Sequence, residues 1–373
     1  MKMESKHREV SRQLLSEIAT GKYGPSGRIP SEAQLVKRFG VSRPTVGRAL
    51  RDLQTEGLIE RRAGSGTFVR RQTPNSPAAR QLGLLIPGLG AVEIFGLICG
   101  ELASLARATE YTLLWGDFAH LQQDQDMSQE HAVKLCEQFI ERRVAGVFFA
   151  PFDLTDGKEE ANHRIAERFG KAGIPVVLLD RDMVPFPHRS NLDLVGIDNL
   201  AAGCLLAEHL FKLGCRRLAF LAMPHSPPTV DARIAGVREA LVRHQLELRP
   251  DWIHLGDPED IRFVSSLIAS RRWDAVICGN DLTAAHLMRT LEKKNVRVPR
   301  HLRVVGFDDA KYATLLSVPL TTVHQPCRDI AVTAYRAMLE RIAEPTLPAR
   351  SLRLTPRLVV RESCGAYLPG KEK

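Results

Sequence analysis

The sequence predicts two folds in succession: an α+β winged helix-turn-helix head, then a larger α/β unit of two lobes with parallel, doubly wound sheets. Two short helical patterns and a hairpin pattern adjoin between residues 29 and 71, and apolar runs alternate with helical patterns from Leu82 onward. Residues 1–72 hold 15 Lys and Arg against 7 Asp and Glu, whereas the other 301 residues hold 37 against 36. We therefore predict a head at 1–72, a linker at 73–81 and the two-lobed unit at 82–365.

The first helix of the helix-turn-helix has a signal at each end. Ser31 and Gln34 form the pattern of a capping box, and Gly40 is typical of a helix terminus. Leu35 and Phe39 lie four residues apart, so they share the face that we expect to be buried.

The second helix follows after a short turn. Ser42 is suited to cap it, and Pro44 is tolerated in a first helical turn. Because Pro44 disfavours the α region for Arg43, the sequence does not fix the first residue of the helix to better than one position. Apolar residues then repeat at helical spacing as far as Gly57, at Val46, Leu50 and Leu53. Two helices joined in this way predict a helix-turn-helix.

A glycine-containing hairpin follows directly. Strand-like runs at 58–60 and 67–69 flank a tip at 61–66 that begins with Arg61 and Arg62. This hairpin is the predicted wing. Since most of the excess positive charge belongs to the head, we expect the head to contact DNA phosphates and the nearly neutral remainder to bind something else.

Cysteine usage and the first residues predict the compartment. The seven cysteines are scattered and never form C-x-x-C, which is typical of small core residues in a reducing compartment. The first ten residues are charged, and the longest apolar run, 82–100, contains Pro87, Glu93 and five glycines. We expect a cytoplasmic chain that meets the nucleoid through DNA and does not enter a membrane.

The second unit shows two series of strand-like runs. They lie near 82–86, 111–115, 145–149 and 174–179, and then near 193–197, 217–222, 252–255, 274–278 and 302–307. Apolar strands separated by helical patterns are typical of parallel sheets covered by helices. A break at 182–191 with two prolines separates the series, and we expect it to separate the two lobes.

Polar residues follow many of these strands. Open α/β sheets bind ligands beyond the carboxyl ends of their strands. The residues at those ends are Asp117, Asp153, Asp180, Arg181, Asp198, Asn199, Asn280, Asp281, Asp308 and Asp309, with Arg233 on a nearby helical pattern. Such a set suits a polyhydroxylated or small polar ligand. Asp and Asn also cap helices, and we expect Asp198 and Asp281 to be caps.

The head resembles the GntR-type winged helix of bacterial regulators. The segments IPSEAQL, VSRPTVGRAL, L-x-x-x-G-L-I-E-R-R and G-S-G-T-F-V carry the resemblance in order. It implies that the recognition helix, which begins near Arg43, contacts bases and phosphates of double-stranded operator DNA. The DNA-contacting residues expected are Ser31, Lys37, Arg38, Ser42, Arg43, Pro44, Thr45, Arg48, Arg61, Arg62, Gly64, Ser65 and Gly66. Many GntR-type heads have Arg at the positions of Ala33 and Gly47, so this operator is expected to differ.

The second unit resembles the LacI/GalR-type sensor, which is related to periplasmic sugar-binding proteins. The segments LGLLIP, IPVVLLDR, RIAGVREAL, CGNDLTA, LRVVGFDD and PLTTVHQ carry this resemblance. It implies an effector site made by Glu93, Asp117, Phe152, Asp180, Arg233, Asn280, Asp308 and Gln325, in which Phe152 or Phe118 stacks on the ligand. The two modules together resemble AraR-like arabinose regulators. The resemblance implies a homodimeric repressor of carbohydrate-utilisation genes that a sugar-like effector releases from its operator.

Two features of the sequence are also compatible with functions other than gene regulation. Gly88-Leu89-Gly90-Ala91-Val92-Glu93 is similar to a dinucleotide fingerprint, but Glu93 occupies the third glycine position, where a carboxylate repels a pyrophosphate. A non-regulatory cytoplasmic sugar-binding protein fits the second unit alone, but the basic head opposes it. Neither a metal motif nor a catalytic constellation is present, so we expect no cofactor and no enzymatic activity.

Overall fold

The computed structural model describes residues 28–55, 59–62, 66–69, 80–86, 93–116, 125–269 and 273–368, together with residues 7, 10, 11, 13, 14, 17 and 23. The chain divides into two compact units, Met1–Pro77 and Ala78–Lys373. We call them the head and the sensor, and each is described by itself.

The head contains a helix-turn-helix and a small antiparallel sheet. Its elements are β1 (Arg28–Ile29), α1 (Glu32–Phe39), α2 (Arg43–Thr55), β2 (Ile59–Arg62) and β3 (Gly66–Val69). The sheet order is β1-β3-β2, so the wing pairs back onto the strand that precedes α1. Its core is formed by Val10, Leu14, Ile29, Leu35, Val46, Ala49, Leu50, Leu53 and Ile59.

Local signals in the head have the predicted effects. Ser31 and Gln34 form a complete capping box, with the Ser31 amide donating to Gln34 Oε1 at 2.8 Å. Gly40 ends α1 in the left-handed region with φ 63°. Helix α2 begins at Arg43, and the Val46 amide donates to the Ser42 carbonyl, so the start does not slip beyond Arg43. Strand β2 ends at Arg62 and strand β3 begins at Gly66, so the tip of the wing is shorter than the predicted tip at 61–66.

The first lobe of the sensor has a fully parallel six-stranded sheet. Its strands are β4 (Gln81–Leu85), β5 (Thr112–Trp115), β6 (Gly146–Phe149), β7 (Val176–Leu179), β8 (Asp193–Ile197) and β14 (Ser351–Leu354), in the order β14-β8-β7-β6-β4-β5. The helices of this part of the chain are α3 (Glu93–Ala108), α4 (Gln125–Glu141), α5 (Lys158–Lys171) and α10 (Cys327–Ala343). The strands between the edges are buried on both faces, as expected for a sheet covered by helices.

The second lobe has a similar sheet with one antiparallel edge. Its strands are β9 (Leu218–Ala222), β10 (Ile253–Leu255), β11 (Ala275–Cys278), β12 (Arg303–Asp308), β13 (Thr321–His324) and β15 (Arg357–Val359), in the order β10-β9-β11-β12-β13-β15. Strand β15 pairs antiparallel with β13. The helices are α6 (Asn199–Lys212), α7 (Pro228–Arg243), α8 (Ile261–Ile268) and α9 (Asp281–Lys293), with a 3₁₀ helix at Lys311–Thr314.

The predicted fold class is confirmed, but the predicted lobe boundary is wrong. Strand β8 follows the break at 182–191, yet it pairs with β7 and β14 in the first lobe. The chain passes to the second lobe only after β8, returns between β13 and α10, and passes again between β14 and β15. Three connections therefore link the lobes.

Helices α6 and α7 pack with their backbones in close contact. A Cβ at Gly236 would overlap the carbonyl oxygen of Leu200, and a Cβ at Gly203 would overlap that of Arg233. Only glycine permits this approach at either position. Because Arg233 lies in α7, the close packing of α6 against α7 fixes the position of its guanidinium within the sensor.

Candidate functional site

The predicted DNA-contacting residues of the head are largely exposed. Those with exposed positions are Ser31, Lys37, Arg38, Ser42, Arg43, Pro44, Arg48, Arg61 and Gly66, and Thr45 is half-buried. Arg62 lies in β2, whereas Gly64 and Ser65 lie outside the described residues. The helix α2 amino terminus and the wing strand thus present guanidinium groups to solvent.

Glu32 links the recognition helix to the wing. Its carboxylate accepts from Arg43 Nε at 3.3 Å and from Arg61 Nη2 at 3.0 Å. The Arg43 side chain remains 79% exposed, so this pair orients it without burying it. Sequence reasoning missed Glu32, which sits in the first turn of α1 where an acid is ordinary.

Arg38, one of the expected DNA-contacting residues, also forms an ion pair within the head. Its guanidinium donates from both terminal nitrogens to Glu17, and the Tyr23 hydroxyl donates to the same carboxylate at 2.5 Å. Glu17 is buried, and burial together with the Glu17 carboxylate raises the pKa of Tyr23 to about 12. A buried carboxylate needs such a partner, so Arg38 supports the head internally.

The sensor contains a cleft of about 260 Å³ beyond the carboxyl ends of strands from both lobes. Asp180 and Arg181 reach it from the first lobe, and Arg233, Asn280 and Asp308 reach it from the second. This is the edge at which open α/β sheets bind ligands. The structure therefore brings five of the predicted effector residues together here, because Gln325 also lines the cleft.

Arg233 is held from several sides. Its Nε donates to Asn199 Oδ1 at 2.8 Å, and its Nη1 donates to the Gly279 carbonyl at 2.6 Å. The guanidinium lies over the Phe307 ring at 4.6 Å, and Nη2 is 3.9 Å from Asp308 Oδ1. With 3% of Arg233 exposed, the planar cation is preorganised for a ligand oxygen.

Two buried hydrogen-bond acceptors in the cleft lack a donor. Gln325 Nε2 donates to Asp308 Oδ1 at 2.8 Å. Within the described part of the chain, the buried oxygens Asp180 Oδ1 and Gln325 Oε1 have no hydrogen-bond partner. Leaving buried acceptors unsatisfied is unfavourable, so a ligand with hydroxyl or amine donors would be stabilised here.

Burial shifts the titration of both cleft carboxyl groups. Burial raises the pKa of Asp180, although Arg181 and Arg233 act in the opposite direction. Burial also raises the pKa of Asp308 to about 6, against the lowering effect of Arg233. Both residues have positive φ, 67° for Asp180 and 121° for Asp308, and such backbone strain is concentrated at functional sites.

The expected helix caps are only partly right. Asp198 caps α6 by accepting from the Ala201 amide at 3.0 Å. Asp281 does not cap α9, because Asn280 accepts from the Thr283 amide and takes that position. Asp281 is instead fully buried, and it accepts from the Ala310 amide and from Thr322 Oγ1. Burial and the nearby Asp308 charge raise the pKa of Asp281.

Two predicted effector residues, Phe152 and Glu93, are not among the residues that line the cleft. Phe152 packs in the first-lobe core and does not line the cleft, so its stacking role is corrected. Asn162 holds it there by hydrogen bonds to its backbone amide and carbonyl. Glu93 begins α3 and accepts from the Lys311 amide at 2.9 Å. Asp117, like Phe118, lies outside the described residues.

Arg181 lines the cleft although the predicted effector set omitted it. Its Nε donates to the Pro151 carbonyl at 2.7 Å, and its Nη2 donates to Asp153 Oδ1 at 2.9 Å. It also lies 3.7 Å from Asp180 Oδ2. The signal was present, since Arg181 directly follows Asp180 at a strand end.

Among the described residues, neither a membrane span nor a metal-binding cluster is present. No helix there is long and apolar enough to cross a bilayer. That same part of the chain holds no group of three or more His, Cys, Asp or Glu side chains arranged for a metal ion. The fingerprint-like segment before Glu93 lies outside it.

Known proteins resemble both units. Residues 6–69 match the family of bacterial regulatory proteins named gntR, and residues 207–364 match a periplasmic binding protein-like domain. The arabinose metabolism transcriptional repressor of Geobacillus stearothermophilus is 26% identical over 96% of this chain and 97% of its own. The ribose operon repressor of Escherichia coli is 30% identical over 61% of this chain and 67% of its own.

A solved structure supports the sensor fold. A LacI-family transcriptional regulator from Sanguibacter keddieii is 28% identical, with a TM-score of 0.59 over 77% of this chain and 100% of that chain. Together with the wing, the capped helix-turn-helix and the cleft, these similarities settle the family. The chain belongs to the gntR family of bacterial transcription regulators and carries a periplasmic-binding-protein-like sensor of the LacI type.

Proposed function

We propose that the chain is a repressor of carbohydrate-utilisation genes that binds operator DNA as a homodimer and is released by a sugar-like effector in the sensor cleft. The main support for this function is that the cleft contains both a fixed guanidinium, that of Arg233, and two unsatisfied acceptors, Asp180 Oδ1 and Gln325 Oε1. Each sugar hydroxyl both donates and accepts, so neighbouring hydroxyls can satisfy both kinds of group.

The acidic lining disfavours an anionic effector. Five carboxylates line the cleft, at Asp153, Asp180, Asp257, Glu259 and Asp308, against the two guanidinium groups of Arg181 and Arg233. A phosphate or carboxylate would add negative charge beside carboxyl groups that burial already disfavours in their ionised form. A neutral polyol adds none.

The head is suited to operator recognition in the major groove. Arg43 and Thr45 lie at the amino end of α2, where backbone N–H groups attract phosphate and arginine can contact guanine. Two copies on a two-fold operator would place one recognition helix in each half-site. An effector then acts as inducer if it favours a sensor conformation that binds the operator less well.

Selection from a random duplex pool, followed by an effector titration, tests this function. The full chain should enrich a two-fold-related site, and a pentose or hexose that raises its melting temperature should weaken binding to that site. If no sequence were enriched, the proposed function as a regulator would be contradicted. A sugar that binds without changing operator affinity would favour the non-regulatory sugar-binding function.

A further inference from the structure

The two lobes touch directly at one rim of the cleft. The Leu154 amide, beyond β6, donates to the His225 carbonyl, beyond β9, at 2.8 Å. Lys158 Nζ donates to the same carbonyl at 2.6 Å and to the Ser226 carbonyl at 2.9 Å. His225 Nε2 lies 3.2 Å from Asp156 Oδ1. We call these contacts among Leu154, Asp156, Lys158, His225 and Ser226 the rim clasp.

The rim clasp has features of a specific contact. Leu154 and His225 both adopt φ 56°, a left-handed conformation that bulky residues rarely accept without compensation. Lys158 is half-buried, and burial lowers its pKa, so its ammonium loses hydration on docking. Hydrogen bonds from a cation to carbonyl oxygens are stronger than neutral ones and offset part of that cost.

A second bridge lies on the other side of the cleft. The Lys311 amide, beyond β12, donates to Glu93 Oε2 at 2.9 Å. In the second-lobe sheet β9 and β12 flank β11, and β11 leads to the cleft residue Asn280. The two bridges therefore reach the second lobe on opposite sides of the effector position. Between them lies a space of about 260 Å³, below the roughly 300–1,000 Å³ typical of drug-sized ligands.

We propose that the rim clasp is a specificity determinant that limits the effector to a single sugar ring and slows its release. This inference rests on the proposed sugar effector. A second ring that extends from the first through this rim has to separate Lys158 and Leu154 from His225. Admitting it breaks the lysine's two hydrogen bonds and leaves the partly buried Ser226 carbonyl without this donor, which disfavours longer ligands.

The clasp can be tested first without any sugar. Lys158→Met keeps the apolar stem and removes the ammonium, and Lys171→Met is the matched control, because Lys171 in the same helix pairs at the surface with Glu167. Hydrogen exchange of the Leu154 amide in the ligand-free full chain should be slow in the wild type and in Lys171→Met. It should be roughly tenfold faster in Lys158→Met. Equal exchange in all three proteins would overturn the clasp.

Sugar binding tests the specificity. L-arabinose, D-ribose and the disaccharide cellobiose are titrated into the three proteins by calorimetry, and release rates are measured by stopped flow. The wild type and Lys171→Met should bind a monosaccharide and exclude cellobiose. Lys158→Met should release the monosaccharide roughly tenfold faster and discriminate less against cellobiose.

Two other outcomes would overturn the proposal. One is a wild type that binds cellobiose as tightly as either monosaccharide. The other is Lys158→Met with unchanged release and discrimination. A wild type that binds none of a full panel of pentoses, hexoses and disaccharides would contradict the proposed function and with it the size limit. Leu154 exchange would still show whether the clasp forms.

Discussion

Arg43 and Glu32 form an ion pair in the head, with Arg43 Nε 3.3 Å from Glu32 Oε2, and the same carboxylate binds Arg61 of the wing. Two of the guanidinium groups expected to contact DNA, those of Arg43 and Arg61, are therefore held by one acid. This acid sets their direction and also reduces the positive charge of the face.

Glu32→Gln should strengthen non-specific DNA binding and weaken discrimination between sequences. Exposed ion pairs contribute about 0.2–1 kcal/mol, so we expect roughly 1.5- to 5-fold tighter binding to a random duplex at low salt. Fluorescence anisotropy of labelled duplexes measures both affinities. Glu167→Gln, which makes the same charge change in the sensor, should alter neither, and equal effects of the two variants would contradict the role of Glu32.

Arg38→Met and Lys37→Met should have opposite consequences although the residues are adjacent. Losing the Arg38 pair leaves the buried Glu17 carboxylate with fewer donors, so the head should lose about 1–2 kcal/mol of stability. Lys37 is exposed, so its substitution should weaken binding to any duplex and reduce its salt dependence while stability stays unchanged. Hydrogen exchange of the α1 amides and DNA anisotropy separate the two effects. A stable Arg38→Met head would refute the internal role.

Gly236→Ala should destabilise the sensor, whereas Gly170→Ala should not. The added methyl group at Gly236 meets the Leu200 carbonyl, and relieving that overlap should cost about 1–3 kcal/mol. A Cβ at Gly170, inside α5, meets no atom within 4 Å, so alanine there should stabilise the helix by roughly 0.5–1 kcal/mol. Urea unfolding followed by tryptophan fluorescence reports on the sensor, because all three tryptophans lie in it. Unfolding midpoints that shift equally would contradict the close helix contact.

The Asp308 carboxyl group should make sensor stability and effector affinity depend on pH in opposite directions. Because burial raises its folded pKa to about 6, the native state binds more protons than the unfolded state between about pH 4 and 6. Its contribution to stability is thus present at low pH and is lost as pH rises through this window. Effector affinity should fall as pH drops below about 6, because a protonated carboxyl accepts fewer hydrogen bonds.

Asp308→Asn checks this assignment. Its sensor should lose less stability between pH 4 and 7 than the wild type in urea unfolding, and its weakened effector binding should no longer vary near pH 6. Identical pH profiles for the two proteins would show that another group titrates.

Short-range patterns could be predicted from the sequence, and long-range partners could not. The Ser31–Gln34 capping box and the Gly40 terminus depend on neighbouring residues, so they could be inferred directly. The pairing of Arg38 with Glu17 joins residues 21 positions apart, and an exposed-helix pattern does not reveal it. Strand β8 has the same apolar pattern in either lobe, and its edge partner β14 lies about 150 residues later.

The site followed the same division. Strand-end positions predicted Asp180, Asn280 and Asp308 at one edge, because the carboxyl ends of parallel strands meet there, and Arg233 was expected from its helical pattern and the family resemblance. Asn280 and Asp281 are adjacent polar residues, and the direction of the backbone decides which of them caps α9. Asn280 is the cap, although Asp281 was expected to be. Phe152 looked available beyond a strand, but the side chain of Asn162 draws its backbone into the core.

Thermodynamic linkage between operator and effector distinguishes an effector-controlled repressor from two independent binding units. Operator dissociation constants are measured with and without saturating effector, and effector constants are measured with and without saturating operator. We expect both pairs of constants to differ by one shared factor of roughly 5- to 150-fold, which corresponds to a coupling of about 1–3 kcal/mol. Arg43→Ala should lose operator binding and keep effector binding, and Asp308→Asn should weaken effector binding and keep operator binding. Operator affinity that is the same with and without bound effector would show that the sensor does not control the head.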